Sequence, residues 1–275
     1  MGNSGPNFEG VYGSSINALR LVYMMGVVWL LADKFSHRKL AILEIGSWCG
    51  ASALTWGEAL ELFNDRRGKI TCVDFWKPHH NTDVNQDVIY KDMGDAAKSG
   101  DAYDVFLRNI EYLPEGVEIE IIRGDSKDVL PSLVGRKYDL VYIDGDHTYE
   151  GVMADINNCL ELVNGGGILA GDDLEIQAHA VNGLVSTFEP ALDRAANAKY
   201  GSNYHPGVTL AVSEIFGPVS SWYGFWGMQR YGDDWKQFSL DGFPMHFPKF
   251  LPIEHLIQLK SLLHHPDLIW HCHVN

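Results

Sequence analysis

The chain has 275 residues, of which 46% are hydrophobic and 21% are charged. This composition is typical of a folded globular protein and excludes the disordered and low-complexity classes. The 36 acidic residues outnumber the 21 basic ones, giving a net charge of −15. Such a balance argues against nucleic acid as a partner, because binding to a phosphate backbone requires a basic face.

The four cysteines show none of the spacings of metal ligands, and three lie in apolar stretches, as expected of reduced thiols in the cytoplasm. The N-terminal segment MGNSGPNFEG lacks the basic and apolar regions of a secretory signal. The longest nearly uncharged run, Leu21 to Ala32, is shorter than the ~20 residues that a membrane-spanning helix needs. We therefore expect a soluble cytoplasmic protein without a membrane partner.

The predicted elements begin with a helix over Ser14–Phe35, in which apolar residues recur at three- and four-residue spacing. From Ala41 onwards strands alternate with helices, and each strand is a short apolar run, as in a parallel sheet with helices on both faces. A turn at Gly165–Gly167 precedes the fifth strand. Right-handed crossovers make this a doubly wound α/β fold. The predicted strands are 41–45, 69–75, 117–122, 139–143 and 167–170, and the predicted helices between them are 52–63, 104–113, 128–133 and 149–163.

Two segments interrupt this alternation. Residues 77–102 are polar, contain glycines and have no strong period, so that we predict a long loop or lid there. Residues 175–204 form an insertion, after which a helix over 207–216 and the last strands of the sheet, within 219–228, are expected.

The segment from Gly232 to Asn275 is rich in aromatic residues, and a disordered tail would be poorer in them. We expect it to pack on the domain and to contain a helix over 253–263. The chain would then consist of a domain over residues 1–231, which carries both interrupting segments, and a C-terminal extension over residues 232–275.

The loop after the first strand carries two glycines at the sheet edge where open α/β folds bind ligands. Gly46 allows the backbone to approach a ligand, and Gly50 allows the next helix to pack closely. A plain turn between a strand and a helix would contain the same pair. Trp48 occupies the middle position, so the loop is not a dinucleotide site, and the lack of Gly-Lys-Ser/Thr excludes a phosphate-binding loop.

Polar side chains follow the second and third strands. Asp74 ends the second strand, where a carboxylate can accept hydrogen bonds from both hydroxyls of a ribose. Gly124, Asp125 and Ser126 follow the third strand, where a side chain could meet the edge of an adenine. Together with the glycine loop, these residues indicate a nucleoside site.

Four carboxylates follow the fourth and fifth strands. Asp144 and Asp146 come after the fourth, and Asp172 and Asp173 after the fifth. Because these strands are neighbours in a doubly wound sheet, we expect the four to converge within a few ångströms. Carboxylates ~4 Å apart repel by about 1 kcal/mol in water, so the cluster would be solvated, partly protonated or neutralised by a hard divalent ion. Helix capping is the alternative role for each of them.

These motifs resemble those of class I S-adenosylmethionine-dependent methyltransferases. The resemblance covers residues 40–175 and rests on the glycine loop, Asp74, Gly124-Asp125-Ser126, Asp144 and the three glycines before the fifth strand. It implies a doubly wound, mostly parallel seven-stranded sheet with helices on both faces, the Rossmann-like methyltransferase fold. It also implies S-adenosyl-L-methionine as the cofactor, bound by Glu44, Gly46, Ser47, Gly50, Ser52, Asp74, Asp125 and Ser126.

The segments DGDHTYE and GGILAGDD are similar to those of metal-dependent O-methyltransferases that act on sugar hydroxyls of natural products. This resemblance implies Asp144, Asp172 and Asp173 as ligands of a divalent cation, with Mg²⁺ expected, and Asp146 as the general base. His147 is a second base, a substrate contact or a loop residue, and these alternatives stay open. A bound cation lowers the pKa of an alcohol, and a carboxylate removes its proton as the oxygen attacks the methyl group in line.

We thus expect an enzyme, a methyltransferase whose partner is a small hydroxylated acceptor such as a sugar or a glycosylated natural product, and which could form a homo-oligomer. A metal-dependent glycosyltransferase using Asp144-Gly145-Asp146 is an alternative, but it leaves the glycine loop and Asp74 without a role. A cofactor-binding scaffold without catalysis is another, and the presence of every acid of the mechanism argues against it.

The remaining histidines and aromatic residues have less specific patterns. His179 and His205 flank the insertion and are interpreted as surface residues, with a contact to the site as the alternative. His271, Cys272 and His273 are too tightly spaced for the usual zinc ligand sets. Four aromatic residues are interpreted as core, with a stacking wall for the acceptor as the alternative: Trp76, Trp222, Tyr223 and Trp226.

Overall fold

The computed structural model describes residues 5–8, 18–78, 83–85, 88–181, 192–197, 202–252, 254, 255 and 257. Within these ranges, one main sheet is covered by helices on both faces. This is the doubly wound α/β fold that the alternation of elements predicts.

The main sheet has five parallel strands followed by antiparallel ones. The parallel strands are β1 (Leu40–Ile45), β2 (Gly68–Asp74), β3 (Glu118–Arg123), β4 (Tyr138–Ile143) and β5 (Val163–Leu174). Two more strands, β6 (Ala195–Asn197) and β7 (Ser202–Tyr204), form a separate antiparallel pair. The antiparallel edge of the main sheet consists of β8 (Ser220–Trp222), β9 (Gly224–Tyr231) and β10 (Asp234–Lys236).

The strand order places the predicted ligand-binding position at the ends of the central strands of the sheet. The main path runs β10-β9-β5-β4-β1-β2-β3, which gives the seven strands expected, and β8 pairs with β9 outside this path as an eighth. The order reverses between β1 and β4, and ligands of open α/β sheets bind beyond the carboxyl ends of the strands at such a reversal.

Helices cover both faces of this sheet and bury its apolar side chains. They are α1 (Ala18–Lys34), α2 (Ala51–Asn64), α3 (Val88–Ser99), α4 (Asp101–Ile110), α5 (Ser126–Ser132), α6 (Tyr149–Cys159) and α7 (Pro206–Phe216). Successive strand residues point to opposite faces, so that Ile42 packs in the cluster with α1 and α2 whereas Leu43 packs with α6 and α7. Burial on both faces explains why β1 is apolar except at Glu44, which is itself buried.

Residues 77–102 do not form the loop predicted for them. Helix α3 and the start of α4 occupy most of the stretch, while 79–82 and 86–87 lie outside the described residues. In α3, Tyr90 and Ala97 are the buried residues. A surface helix with so few apolar positions gives too weak a period to be recognised from its sequence.

The turn predicted at Gly165–Gly167 is also wrong. β5 begins at Val163 and contains the three glycines, where its pairing with β4 is irregular, and Gly166 has a positive φ of 80°. Glycine allows such an irregularity inside a strand without ending it. The preceding helix, predicted over 149–163, stops at Cys159 and is followed by a 3₁₀ turn over Leu160–Leu162.

The insertion and the C-terminal extension are described in part. The insertion contains a 3₁₀ turn over Ala178–Ala180 and the β6–β7 pair, and the rest of it lies outside the described residues. In the extension, Leu240, Phe243 and Leu251 are buried in the cluster that includes α1. Most of the helix predicted over 253–263, like Cys272, lies outside the described residues.

None of the helices in the described ranges is long and apolar enough to cross a bilayer. Three cysteines, Cys49, Cys72 and Cys159, are buried free thiols, as their apolar sequence surroundings predict.

Candidate active site

Gly46 brings the end of β1 against the end of β4. Its φ is 87°, and a Cβ at this position would lie 1.8 Å from the carbonyl oxygen of Asp144. Its amide donates a hydrogen bond to the carbonyl of Val73, 2.9 Å away, which also fixes the loop to β2. Only glycine can occupy this position, because any side chain would push the two loops apart.

A cavity of about 360 Å³ opens at the carboxyl ends of β1 to β4, within the size range of small-molecule sites. Gly46, Asp74, Asp125 and Ser126 line it, and these are half of the predicted cofactor residues. The predicted catalytic and metal residues Asp144, Asp146 and His147 line the same cavity. The fold therefore gathers residues from four strand ends around one space.

Asp74 is held at the wall of this cavity by two backbone amides. The amide of Trp48 donates to Oδ2 at 2.8 Å, and the amide of Trp76 donates to Oδ1 at 2.6 Å. Both tryptophans have positive φ angles, 40° and 45°, and the indole N–H of Trp76 donates to the carbonyl of Trp48 at 2.7 Å. Trp48 thus adopts the left-handed conformation that a glycine would take at the same place in the loop, and hydrogen bonds on both sides hold it there.

The other four predicted cofactor residues lie outside this cavity. Ser47 and Ser52 line a smaller cavity of about 110 Å³ beside the start of α2. Glu44 lies buried behind it and accepts a hydrogen bond from the Ser52 hydroxyl at 3.0 Å, and burial raises the pKa of Glu44 to about 7. Gly50 faces the ring of Phe106 on α4, where a Cβ would come within 3.2 Å, so its role is close packing.

Three of the four predicted acidic residues converge. Asp144, Asp172 and Asp173 each offer a carboxylate oxygen, and these oxygens lie within 4.8 Å of one another. Asp172 is buried, and its pKa is raised well above the ordinary value by burial and by the charges of Asp173 and Asp144. The expectation that the ends of β4 and β5 share a carboxylate group is therefore met for these three residues.

Asp146 is not part of this group, contrary to the expectation that all four converge. Its Oδ1 accepts a hydrogen bond from the amide of Thr148 at 2.9 Å, and its Oδ2 lies 4.0 Å from the ammonium of Lys127. It therefore ties down the loop before α6, which is close to the capping alternative. Asp125 does the same for α5, because its side chain accepts from the amide of Lys127 at 3.0 Å.

A break in the pairing of β5 allows consecutive aspartates to point into one space. Side chains of neighbouring strand residues normally point to opposite faces. The register of β5 with β9 shifts between Gly171 and Leu174, and Asp173 has a left-handed φ of 59°. This bulge turns Asp173 to the same side as Asp172. The indole of Trp226 donates to the carbonyl of Asp172 at 3.2 Å and supports the bulge from β9.

Arg20 on α1 reaches the same carboxylates, and sequence analysis did not predict it. Its guanidinium forms an ion pair with Asp172 and lies 3.8 Å from Oδ1 of Asp173. Arg20 stands alone as a basic residue in the apolar part of α1, from Ala18 to Ala32. That isolated charge was the available signal.

A group of histidines and acids borders the carboxylates. Nε2 of His147 lies 3.0 Å from Oδ2 of Asp173, and its Nδ1 lies 3.0 Å from Oδ1 of Asp193. The ring of His205 is 4.9 Å from that of His147. Burial by itself would lower the pKa of His147. The negative charges of Asp193 and Asp173 have the larger, opposite effect, and the pKa of His147 is therefore well above its ordinary value.

The surface position predicted for His205 is wrong, whereas His179 is exposed as predicted. Asp193 belongs to the insertion, and His205 immediately precedes α7. The sequence around each of them contains no motif that points to the site. His271, Cys272 and His273 lie outside the described residues.

The four aromatic residues divide between core and surface. Trp76 and Trp226 are fully buried, as the core interpretation predicts, and Trp222 is partly buried. Tyr223 is 47% exposed, and its ring stacks on that of Tyr23 on α1 at 5.9 Å. The next residue, Gly224, lies near the carboxylate of Asp172, since a Cβ added to it would be 3.7 Å from Oδ1.

Comparison with known proteins agrees with this arrangement. Residues 43–174 match the family model for a methyltransferase domain, and the match spans every predicted site residue from Glu44 to Asp173. It favours a methyltransferase over a glycosyltransferase. A search of curated protein sequences gives no match.

Several solved structures share the fold of this chain. The O-methyltransferase NovP is 17% identical, with 77% of this chain and 79% of NovP covered and a TM-score of 0.53. An O-methyltransferase from Bacillus cereus in complex with SAH is 14% identical, with 79% and 81% covered and a TM-score of 0.50. The calicheamicin methyltransferase CalS11 is 15% identical, with 77% and 78% covered and a TM-score of 0.49. At these identities the likeness concerns the fold.

Proposed function

We propose that this chain, whose residues 43–174 match the family model for a methyltransferase domain, is a class I S-adenosylmethionine-dependent methyltransferase that methylates a hydroxyl oxygen of a small molecule with the help of a divalent cation. The observation that carries this proposal is the convergence of Asp144, Asp172 and Asp173 beside the cavity at the strand ends. NovP, which shares the fold, is an O-methyltransferase, and this supports oxygen as the acceptor atom.

The larger cavity is the proposed cofactor site. Each oxygen of Asp74 accepts a backbone amide, so that the carboxylate is oriented towards a ribose before the cofactor arrives. Gly46 lets the backbone face the methionine end of the cofactor. Asp125 and Ser126, at the start of α5, contact the adenine. Ser47 and Ser52 line the adjoining smaller cavity.

The donor set of the three carboxylates fits a hard divalent cation, and Mg²⁺ is the ion we propose. The three carboxylates lie close together and one of them is buried, and the guanidinium of Arg20 forms an ion pair with Asp172 and lies 3.8 Å from Asp173. When bound, such a cation lowers the pKa of a hydroxyl group beside it. Asp144, Asp172 and Asp173 would hold it.

Asp146 is the proposed general base. Its Oδ1 is anchored by the amide of Thr148, and its Oδ2 remains to take the proton. The acceptor oxygen attacks the methyl carbon in line, the O–CH₃ bond forms, the S–CH₃ bond breaks with its electron pair going to sulfur, and the proton goes to Asp146. His147 stands between two carboxylates, which suits a charged partner or a ligand better than a free base.

The acceptor is proposed to be a sugar or a glycosylated natural product. Sugars stack on aromatic faces through their C–H groups while hydrogen-bonding to carboxylates. Tyr223, which is exposed and stacks on Tyr23, is the aromatic face proposed for this contact.

Methyl transfer tests this proposal. The purified chain is incubated with S-adenosylmethionine and a panel of hydroxylated acceptors, with Mg²⁺ or with chelator, and products are detected by mass spectrometry. We expect methylated products with Mg²⁺, and a loss of about 100-fold or more in rate with chelator or in Asp172→Asn, because several kcal/mol of charge stabilisation disappear.

The matched control is Asp241→Asn, which changes an exposed aspartate in the loop after β10 and should leave the rate unchanged. Methyl transfer that continues at the full rate in chelator and in Asp172→Asn would contradict the metal-assisted mechanism. Lack of binding of S-adenosylhomocysteine in calorimetry would contradict the cofactor site.

A further inference from the structure

We propose that His147, Asp173 and His205 form a second metal site, which takes a transition-metal ion such as Zn²⁺ or Co²⁺ through nitrogen ligands. Each residue offers one ligand atom, and the three atoms lie within 4.8 Å of one another. Nε2 of His147 is 3.0 Å from Asp173, and Nδ1 of His205 is 3.8 Å from the other oxygen of the same carboxylate. Such spacing is close to what ligands sharing one ion need.

Three separate parts of the fold deliver these side chains. His147 follows β4, Asp173 lies in the bulge of β5, and His205 immediately precedes α7. All three are partly buried, with side-chain exposures of 20%, 16% and 13%. The ring of His205 meets that of His147 edge-on, with 4.9 Å between the centroids. The three residues therefore lie against one another, and His147 and Asp173 also line the smaller cavity beside Asp172.

The second ring nitrogen of each histidine faces a single carboxylate, that of Asp193. Nδ1 of His147 is 3.0 Å from Oδ1 of Asp193, and Nε2 of His205 is 4.0 Å from Oδ2. Metal-binding histidines typically donate their other N–H to a carboxylate, which fixes the tautomer and the ring orientation. Asp193 stands where such a supporting carboxylate belongs.

Asp193 is itself fixed in place. It is 3% exposed, the hydroxyl of Tyr90 donates to its Oδ2, and its amide donates to Oδ1 of Asn85 at 2.9 Å. These contacts connect the insertion to α3 and hold the carboxylate behind both imidazoles. Oε1 of Glu175 lies 3.0 Å from Nδ1 of His205 and orients this ring from the other side.

The ligand types separate this site from the carboxylate group. Imidazole nitrogen suits Zn²⁺, Co²⁺ and related ions, whereas carboxylates alone suit Mg²⁺ and Ca²⁺. Asp173 belongs to both groups, so an ion on the histidine side would share this ligand with the carboxylate group. The inference does not depend on methyl transfer.

Spectroscopy of the metal tests this site. The full chain is freed of metal with a chelator and titrated with Co²⁺, whose visible absorption becomes intense with nitrogen ligands in a tetrahedral site. We expect such a band, its loss when Zn²⁺ is added, and an X-ray absorption spectrum of the zinc form with nitrogen at about 2.0–2.1 Å.

Variants locate the ion. His147→Asn or His205→Asn should remove the intense band, and Asp193→Asn should weaken Co²⁺ binding by about 10- to 100-fold. His179→Asn, which changes an exposed histidine, should keep the band and leave the affinity unchanged. Circular dichroism of each variant reports whether it is folded.

Two outcomes would overturn the proposal. A weak, octahedral Co²⁺ spectrum that is unaltered in both histidine variants would mean that the ion binds to carboxylates alone. Lack of any Co²⁺ or Zn²⁺ binding would mean that the histidines and acids form an ion-paired cluster only. Either outcome leaves the Mg²⁺ requirement of the methyl-transfer assay untouched, so the two proposals fail separately.

Discussion

Asp74 shows how a single carboxylate can be prepared for a ligand. Two amides, from Trp48 and Trp76, hold its oxygens in fixed directions. The residues that supply them adopt positive φ angles, which are uncommon for tryptophan and are maintained by the indole hydrogen bond between the two loops. The sequence predicted the carboxylate from its position at the end of β2. It did not predict its amide partners, because loop conformation depends on contacts between distant segments.

Replacement of Asp74 by asparagine tests the ribose contact. Charge-assisted hydrogen bonds contribute about 1.5–3 kcal/mol each, and asparagine keeps one acceptor but loses the charge. We expect Asp74→Asn to weaken the binding of S-adenosylhomocysteine by about 10- to 100-fold in calorimetry. Asp241→Asn is the control. An unchanged dissociation constant in Asp74→Asn would exclude the ribose contact.

Asp155 on α6 makes stability depend on pH. Its side chain is 1% exposed, and burial raises its pKa to about 7. An aspartate in the unfolded chain ionises near pH 4, so the folded state binds one proton more than the unfolded state between about pH 4 and pH 7. The stabilisation from this group is therefore complete below pH 4 and is lost as the pH rises through 7.

Asp155→Asn removes this ionisable group while keeping its shape. At pH 4 the variant and the parent should be about equally stable, and at pH 8 the variant should be more stable by up to about 4 kcal/mol. Urea denaturation at both pH values measures the difference. A stability difference that is the same at pH 4 and pH 8 would show that Asp155 ionises normally in the folded state.

Helices and strands were predictable where burial determines the pattern of apolar residues in the sequence. They were missed where local backbone geometry determines the structure. Strands β1, β2, β4 and β5 are mostly buried and β3 is partly buried, and all five were identified within a few residues of their ends. Helix α3 was missed because most of its residues are on the surface and Tyr90 and Ala97 are the ones it buries. The bulge at Asp173 was missed because its left-handed φ and its shifted register arise from pairing with β9.

Gly46→Ala tests the contact between the ends of β1 and β4. The new Cβ would meet the Asp144 carbonyl at 1.8 Å in a backbone conformation with φ of 87°. We expect a loss of about 3 kcal/mol or more in the free energy of unfolding, or a shifted loop that no longer binds S-adenosylhomocysteine.

Gly94→Ala is the matched control for that substitution. Gly94 lies within α3, and a Cβ there would meet nothing within 4 Å. This variant should be more stable by about 0.5–1 kcal/mol, because alanine favours the helix. Equal effects of the two substitutions in denaturation would contradict the close approach at Gly46.

At the scale of the whole molecule, the carboxylates and the residues that contact them come from parts of the chain that lie far apart in sequence. Arg20 comes from α1, Asp144 and Asp173 come from neighbouring strands, and Asp193 and His205 come from the insertion and its end. Motif and spacing could predict the residues at the strand ends, because the sheet order fixes where strands finish. The remaining residues are brought in by packing, which leaves no local pattern in the sequence.

Arg20 links the packing of α1 to the charge of the site. Its guanidinium is the ionic partner of Asp172, which is buried between two other carboxylates. Removal of one member of a buried ion pair costs about 3–5 kcal/mol, because the remaining charge is left without compensation. We expect Arg20→Gln to lose about that much stability to urea in the presence of chelator. Arg66→Gln, which breaks the surface pair with Glu61, should cost about 0–1 kcal/mol.

A divalent cation should restore the stability that Arg20→Gln loses. Without the guanidinium, Asp172 and its neighbours attract Mg²⁺ more strongly. An ion that binds only the folded state stabilises that state, and the gain grows with the logarithm of the ratio of ion concentration to dissociation constant. Mg²⁺ should therefore raise the melting temperature of Arg20→Gln more than that of the parent chain or of Arg66→Gln. An equal rise in all three proteins would mean that Arg20 and the cation do not compete for the same carboxylates, and that α1 contributes packing without influencing the metal site.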